Sequence, residues 1–412
     1  MRSLVLVALV AATFAGCLDD EPPASDLEVP PPGDVEMPYV LGDVVGFGEP
    51  TALELPAGGQ GIWIEDGLLY HTNGASLHIV DVSDPAGMKL LGAVEDVGAR
   101  DVDLLRYANM TLVFLAGSGK GMHIVDATDP TTPRLLTTVD LPSAGVHNLA
   151  AVPGTPYVYS SGASGPTKAI DVLDVTDPRD PVVHTFPIPA TIGGIPVESD
   201  GCHDITVRVD LERAFCAGGG GTYTGAGGET FIWDISEGAG GPTAPRWVSM
   251  MDDPRIKYHH QAFANAAGDL LIVNDEFIAP NCVRADTPLP GALDPQVPIG
   301  AAWIWDISDE GAPVMRSFVQ NPALLERMDP QMSNCGSHFG DLLPDQEKFV
   351  MGWYQGGTML VDFADPDDPV IVEVGPVQGS TWDARYHDGH VFHASGDLLA
   401  TPLRVADGEA TA

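Results

Sequence analysis

Positive charge is scarce in this chain: 19 Lys and Arg stand against 58 Asp and Glu, for a formal net charge of −39. Phosphate contacts need clustered cations, so nucleic acid is excluded as a partner. Long apolar runs are also missing. After residue 16 no stretch approaches the ~20 residues that span a bilayer. Apolar stripes at helical spacing are hard to find, while 47 Gly and 36 Pro punctuate a chain rich in Val, Ile and Thr. That pattern reads as many short strands joined by turns, an all-β protein. Catalytic signatures are absent as well, with no G-x-S-x-G elbow, no H-E-x-x-H and no P-loop. The run Gly218-Gly219-Gly220-Gly221 precedes no Lys-bearing helix and reads as a loop. No D-x-D-x-D-G loop gathers the acidic residues into a Ca²⁺ site. The acidity is therefore read as a solvated surface that keeps the protein soluble, suited to a saline habitat.

The one targeting segment is at the start. Arg2 precedes an apolar stretch from Leu4 to Ala15, the form of a signal peptide over residues 1–17. The stretch Phe14-Ala15-Gly16-Cys17 resembles a bacterial lipobox, although Phe14 stands where that motif usually has Leu. The resemblance implies acylation of Cys17 and anchoring at the cell surface or in the periplasm; plain secretion with an unmodified Cys17 is the alternative. Residues 18–38, rich in Pro and acid, read as a disordered tether. A propeller domain is expected over 39–406, with a tail at 407–412. Four cysteines remain: Cys202, Cys216, Cys282 and Cys335. An even number in an exported protein points to disulfides with three connectivities open. Cys202 and Cys216 flank what reads as one hairpin and are a plausible pair. The competing role for Cys202 is a thiolate ligand beside His203.

One phrase recurs. It reads Leu77-His78-Ile79-Val80-Asp81-Val82-Ser83-Asp84-Pro85 and returns at Met122–Pro130 and Val172–Pro178, then more loosely at Phe231–Ser236, Trp303–Asp309 and Met359–Pro366. The first aspartates stand at 81, 126, 174, 234, 306 and 362, so the spacing runs from 45 to 72 residues. Propeller blades and helical solenoids share such periods, and the content decides between them. Each copy is a β-rich run closed by Asp-x-Ser/Thr-Asp-Pro, where side chains can bond nearby N–H groups and Pro stops the strand. One strand follows each copy and two precede it, which makes a four-stranded blade. After the sixth copy, Ser380–Tyr386, His390–Ala394 and Leu398–Val405 supply three strands without a fourth. Tyr39–Phe47 is a strand without a blade. Pairing the two ends completes a seventh blade and removes an open edge. The expectation is a seven-bladed β-propeller, with six or eight blades as alternatives.

The phrase resembles the LVIVD-repeat propellers of secreted bacterial and archaeal proteins. Three further segments are similar to those of the choice-of-anchor B surface proteins: Val146–Ala150, Cys202–Ile205, and His259-His260-Gln261 with the later Asn274-Asp275-Glu276. The likeness spans roughly residues 60–375. It implies a propeller at the cell surface and brings no activity with it.

Four histidines, His147, His203, His260 and His338, each start a predicted first strand, in four successive blades. First strands line the channel of a propeller, so these imidazoles face one another and could hold one transition metal (Cu, Fe, Zn or Ni). Asn148, Asp204 and Gln261 follow them, with Asp101 and Asp383 in the flanking blades. Alternation turns these to the other side of the strand. They either orient the imidazoles or tie neighbouring blades together. His259 replaces His260 if the register slips by one. The competing reading is a repeated packing histidine, as at His78 and His123. His387, His390 and His393 lie in a hairpin and read as solvated surface. Trp233, Trp303, Trp305 and Trp353 are expected between blades.

Two functions follow from the sequence. The first is a lipid-anchored, monomeric scaffold that binds a protein or glycan through the insertions at 218–230 and 278–300. The alternative is a metal-dependent enzyme or sensor built on the histidine ring.

Overall fold

The computed structural model describes residues 41–406 apart from 56–57, 118–120, 143–145, 163–167, 220–227, 277–299, 323–335 and 376–379. Cys17, Cys282, Cys335, the signal segment and the tether lie outside the described residues.

Seven antiparallel sheets of at least four strands follow one another along the chain. Blade 1 holds Ile62–Glu65, Leu68–Thr72, Leu77–Asp81 and Lys89–Val94. Blade 2 runs from Ala99–Tyr107 to Arg134–Val139, blade 3 from Asn148–Ala151 to Val182–Pro187, and blade 4 from Asp204–Arg208 to Arg246–Met251. Blade 5 spans His259–Ala264 to Val314–Val319, and blade 6 Ser337–Leu342 to Val370–Val374. Within each blade the strands pair in chain order as a meander. A two-residue hairpin, Thr191–Ile192 with Ile195–Pro196, sits between blades 3 and 4.

The recurring phrase is the third strand of six blades and the turn that leaves it. Asp81 accepts hydrogen bonds from both the N–H and the hydroxyl of Ser83. The same pair of bonds joins Asp126 to Thr128, Asp174 to Thr176, Asp234 to Ser236 and Asp306 to Ser308. The second aspartate repeats the device, Asp84 accepting from Ala86 N–H and Asp129 from Thr131 N–H. These side chains stand in for ladder partners at the strand end, which is why Asp and Ser or Thr recur there.

The core consists of seven apolar clusters, one at each blade interface. Alternate residues of a strand face opposite neighbours. In blade 2, Leu112 and Phe114 pack toward blade 3, while Val113 and Leu115 pack toward blade 1. Trp233, Trp303 and Trp353 are fully buried between blades, as the sequence suggests, and Trp305 nearly so. Each large side chain buried this way is worth roughly 1.5–3 kcal/mol.

Blade 7 closes the ring from both ends of the chain. Asp383–His387, His390–Ser395 and Asp397–Val405 supply three strands, and Val44–Phe47 pairs with the last of them, Val44 opposite Val405 and Phe47 opposite Leu403. Thr51–Leu53 pairs with the first half of the same strand. Arg404 Nε donates to Phe47 O at 2.6 Å, and Lys348 pairs with Asp43.

Cys202 and Cys216 are disulfide-bonded across the first hairpin of blade 4. Cys202 is therefore no thiolate ligand. His393 corrects the sequence reading of a solvated cluster. It is buried, with Nδ1 against Thr358 Oγ1 and Nε2 against Thr401 Oγ1, whereas His387 and His390 keep partial exposure.

Candidate metal centre in the channel

The starts of the first strands converge at one end of the channel, and the four histidines meet there. Ring centroids of His147 and His203 are 4.4 Å apart, those of His203 and His260 4.3 Å, and those of His260 and His338 4.0 Å. His203, His260 and His338 are buried, and His147 is half-buried. His259 is turned away, its Nδ1 against Thr230 Oγ1 of blade 4 at 2.8 Å. The register with His260 on the axis holds.

The sequence reading missed the fifth member, Glu276. Its Oε2 lies 3.8 Å from His203 Nε2 and 3.7 Å from His260 Nε2, and its Oε1 lies 3.7 Å from His338 Nε2. One donor atom from each of His203, His260 and Glu276 falls within 4.8 Å of the other two. These distances are too long for hydrogen bonds. Tyr354 Oη donates to Glu276 Oε1 at 2.8 Å, and Glu276 N–H donates to Tyr258 O.

The tripeptide Asn274-Asp275-Glu276 explains how a carboxylate reaches the axis from a second strand. Asn274 Oδ1 accepts from Gln261 N–H, and its amide donates to His338 O. Asp275 Oδ1 accepts from Tyr258 N–H at 2.9 Å, while its own N–H donates to Ser337 Oγ at 3.0 Å. Blades 5 and 6 are thus stitched together at the point where Glu276 projects. The signal available in sequence was two acids closing an otherwise apolar strand.

Burial sets the protonation. It pushes the His338 imidazole down to about 3 and His147 down to about 4. His203 and His260 fall well below the usual imidazole range, through burial and then through the neighbouring imidazoles. Burial also pushes the Glu276 carboxyl up to about 8. At neutral pH the ring presents neutral imidazoles beside a protonated carboxyl. Among the described residues neither ring nitrogen of His260 has a hydrogen-bond partner, nor does His203 Nδ1. An unsatisfied buried polar group costs about 1–3 kcal/mol, which coordination of an ion would offset. Three imidazoles and one carboxylate suit Zn, Cu, Fe or Ni.

Asn148, Asp204 and Gln261, which follow histidines, and Asp101 and Asp383 in the flanking blades bond between blades. Asp101 Oδ2 accepts from Leu149 N–H, Gln261 Oε1 from Gly340 N–H, and Asp383 Oδ2 from Ile62 N–H. Asn148 Nδ2 approaches Asp204 Oδ1 at 3.4 Å. These bonds form a network tying strand starts to the next blade. Below the ring this network borders a cavity of about 200 Å³, lined among others by Asp101, Asp103, Asp204, Asp341 and Arg385. Arg385 Nε pairs with Asp383 Oδ1 at 2.8 Å. Burial pushes Asp383 up to about 6, Asp101 to about 7 and Asp103 to about 8. No helix among the described residues is long and apolar enough to cross a membrane.

Residues 59–96 match the model of the LVIVD repeat. No curated protein matches the chain. Among solved structures it is similar to the WD40 repeats of RRP9, with 11% identity, a TM-score of 0.60, and coverage of 88% of this chain and 100% of that one. U3-55K is similar at 11% identity, a TM-score of 0.57 and the same coverage. Hydrazine synthase of Kuenenia stuttgartiensis is similar at 12% identity and a TM-score of 0.60, covering 87% of this chain and 99% of that one. At such identities the likeness is one of fold. The chain is a seven-bladed β-propeller whose first blade matches the LVIVD repeat.

Proposed function

We propose that the protein is an exported, lipid-anchored propeller, of the choice-of-anchor B kind, that holds one transition-metal ion in its channel. His203, His260, His338 and Glu276 would bind the ion, with His147 beside them, and the protein would act as a metal-dependent enzyme or sensor. The observation that supports this is the convergence of buried, neutral imidazoles on one carboxyl group, with ring nitrogens that find no hydrogen bond among the described residues. The β-propeller scaffold also fits an interaction role, and binding of a protein or glycan through its loops is the reading if the channel proves empty of metal.

Elemental analysis of the intact protein, purified without chelators or a histidine tag, is the test. Near one equivalent of Cu, Fe, Zn or Ni supports the metal centre, and less than a tenth of an equivalent rejects it. Anchoring has its own test. Cys17→Ser should move the protein from the membrane fraction to the soluble one, and a variant that stays with the membrane refutes acylation there.

A further inference from the structure

Outside the channel, the buried histidines of this fold bond threonine hydroxyls, with one exception. His123 Nδ1 meets Thr138 Oγ1 at 2.8 Å, His259 Nδ1 meets Thr230 Oγ1, and His393 holds Thr358 and Thr401 on its two nitrogens. The exception is His71 and His78 of blade 1. Both are fully buried, and among the described residues none of their four ring nitrogens has a hydrogen-bond partner. His260, in the channel, shares that condition.

The repeat shows what blade 1 has lost. His78 holds the place that His123 holds in blade 2 and Asp171 in blade 3, three residues before the turn aspartate. In those blades the outer strand sets a threonine directly opposite, Thr138 for His123 and Thr185 for Asp171. Opposite His78 the outer strand carries Ala93. On the inner side, where blade 2 has Leu115 and blade 3 has Ser160, blade 1 has His71 in register with His78. The hydroxyl that would satisfy one imidazole is gone, and a second imidazole stands beside it.

The two rings lie one rung in from the turn at 73–76, with centroids 5.9 Å apart and planes 28° from parallel. Strand alternation turns them to the side of Leu69 and Val80, the apolar interface between blades 1 and 7. Gly59 keeps the flank of His71 clear, since a Cβ there would stand 3.0 Å from Nε2. Glu95, which accepts from Ser76 Oγ, carries a charge that bears on His78. Buried nitrogens without partners are costly, and coordination of an ion would offset that cost. Two imidazoles on one ion, with bonds of about 2.0 Å, hold their ring centres ~5 Å apart in a tetrahedral arrangement and ~6 Å apart in a linear one. The observed separation falls within that range. Zn²⁺ almost always takes four ligands, and two neutral imidazoles in an apolar interface neither complete that set nor balance its charge. A monovalent ion that accepts two nitrogen donors meets both limits.

We infer that His71 and His78 form a second metal site, independent of the channel, which binds Cu⁺ between the two imidazoles. The test is anaerobic titration of the intact protein with Cu⁺ against the competing chelator bicinchoninate. The wild type should hold a Cu⁺ equivalent that persists in His260→Ala and is lost in His71→Leu. His71→Leu installs the residue that blade 2 carries at this position, so the metal-free variant should keep its fold. Ala93→Thr returns a hydroxyl opposite His78 and removes no ligand, and it should weaken Cu⁺ binding at this site at least tenfold. Retention of the full wild-type Cu⁺ complement by His71→Leu overturns the site. Should His71→Leu fail to fold, unchanged Cu⁺ affinity in Ala93→Thr overturns it instead. Loss of all Cu⁺ in His260→Ala would place the metal in the channel alone and overturn it as well.

Discussion

Replacing His260 by Ala should lower metal affinity by about 10³-fold, roughly 4 kcal/mol, while the metal-free protein stays folded. His260 is the middle of the histidine arc, in ring contact with both His203 and His338. Its loss removes one donor and separates the others. The metal-free protein should tolerate the change, because the cavity left behind is offset by removing two buried nitrogens that had no hydrogen bond. Thermal melts separate the two contributions. An ion bound only by the native state raises stability by about 4 kcal/mol at a thousandfold excess over its dissociation constant. The wild-type melting temperature should therefore rise with added metal and that of the variant should not. Glu276→Gln keeps the shape and an acceptor for Tyr354 but no charge, and should lose about 100-fold in affinity. If His260→Ala unfolds the metal-free protein and the wild type gains nothing from metal, the histidines serve packing alone.

Arg385→Met should destabilise the protein by about 3–5 kcal/mol at neutral pH, because it strips a paired cation from a group of buried carboxyls. Arg385 pairs with Asp383 and acts on Asp101, Asp204 and Asp341. Burial holds the folded-state values of Asp383, Asp101 and Asp103 at about 6, 7 and 8, above the ~3.9 of an unfolded chain. With raised values the folded state keeps protons that the unfolded state has released. The stability this contributes is present in full below ~4 and is lost as pH rises toward 8. Without the guanidinium these carboxyls ionise at still higher cost, so the deficit of the variant should be larger at pH 8 than at pH 5. Chemical denaturation at the two pH values measures it. A deficit that does not change with pH would mean that Arg385 acts by packing over Phe339, 5.6 Å from its guanidinium carbon.

Much of the architecture was legible because each blade repeats the same local solution. Asp81, Asp126 and Asp174 announce a turn through their own hydrogen bonds, and the three strands after the sixth copy called for the strand that Val44–Phe47 provides. The histidines were legible for the same reason, since a strand start is a position the repeat defines. Glu276 was not, because it comes from the end of a second strand and reaches the axis only through the bonds of Asn274 and Asp275. His393 was misread because hairpin residues look solvated until a neighbouring strand, here the one carrying Thr358, covers them.

The pairing of Val44 with Val405 also sets an order of events in folding. The strand Val44–Phe47 cannot find its place until the strand that carries Val405, far along the chain, is present. Until then blades 1 and 6 leave uncovered the apolar faces that blade 7 packs against, a contact pattern of high sequence separation that slows closure and invites association. The open arc is therefore the state in which the chain is most exposed to wrong partners, and the pairing of Val44 with Val405 ends that exposure.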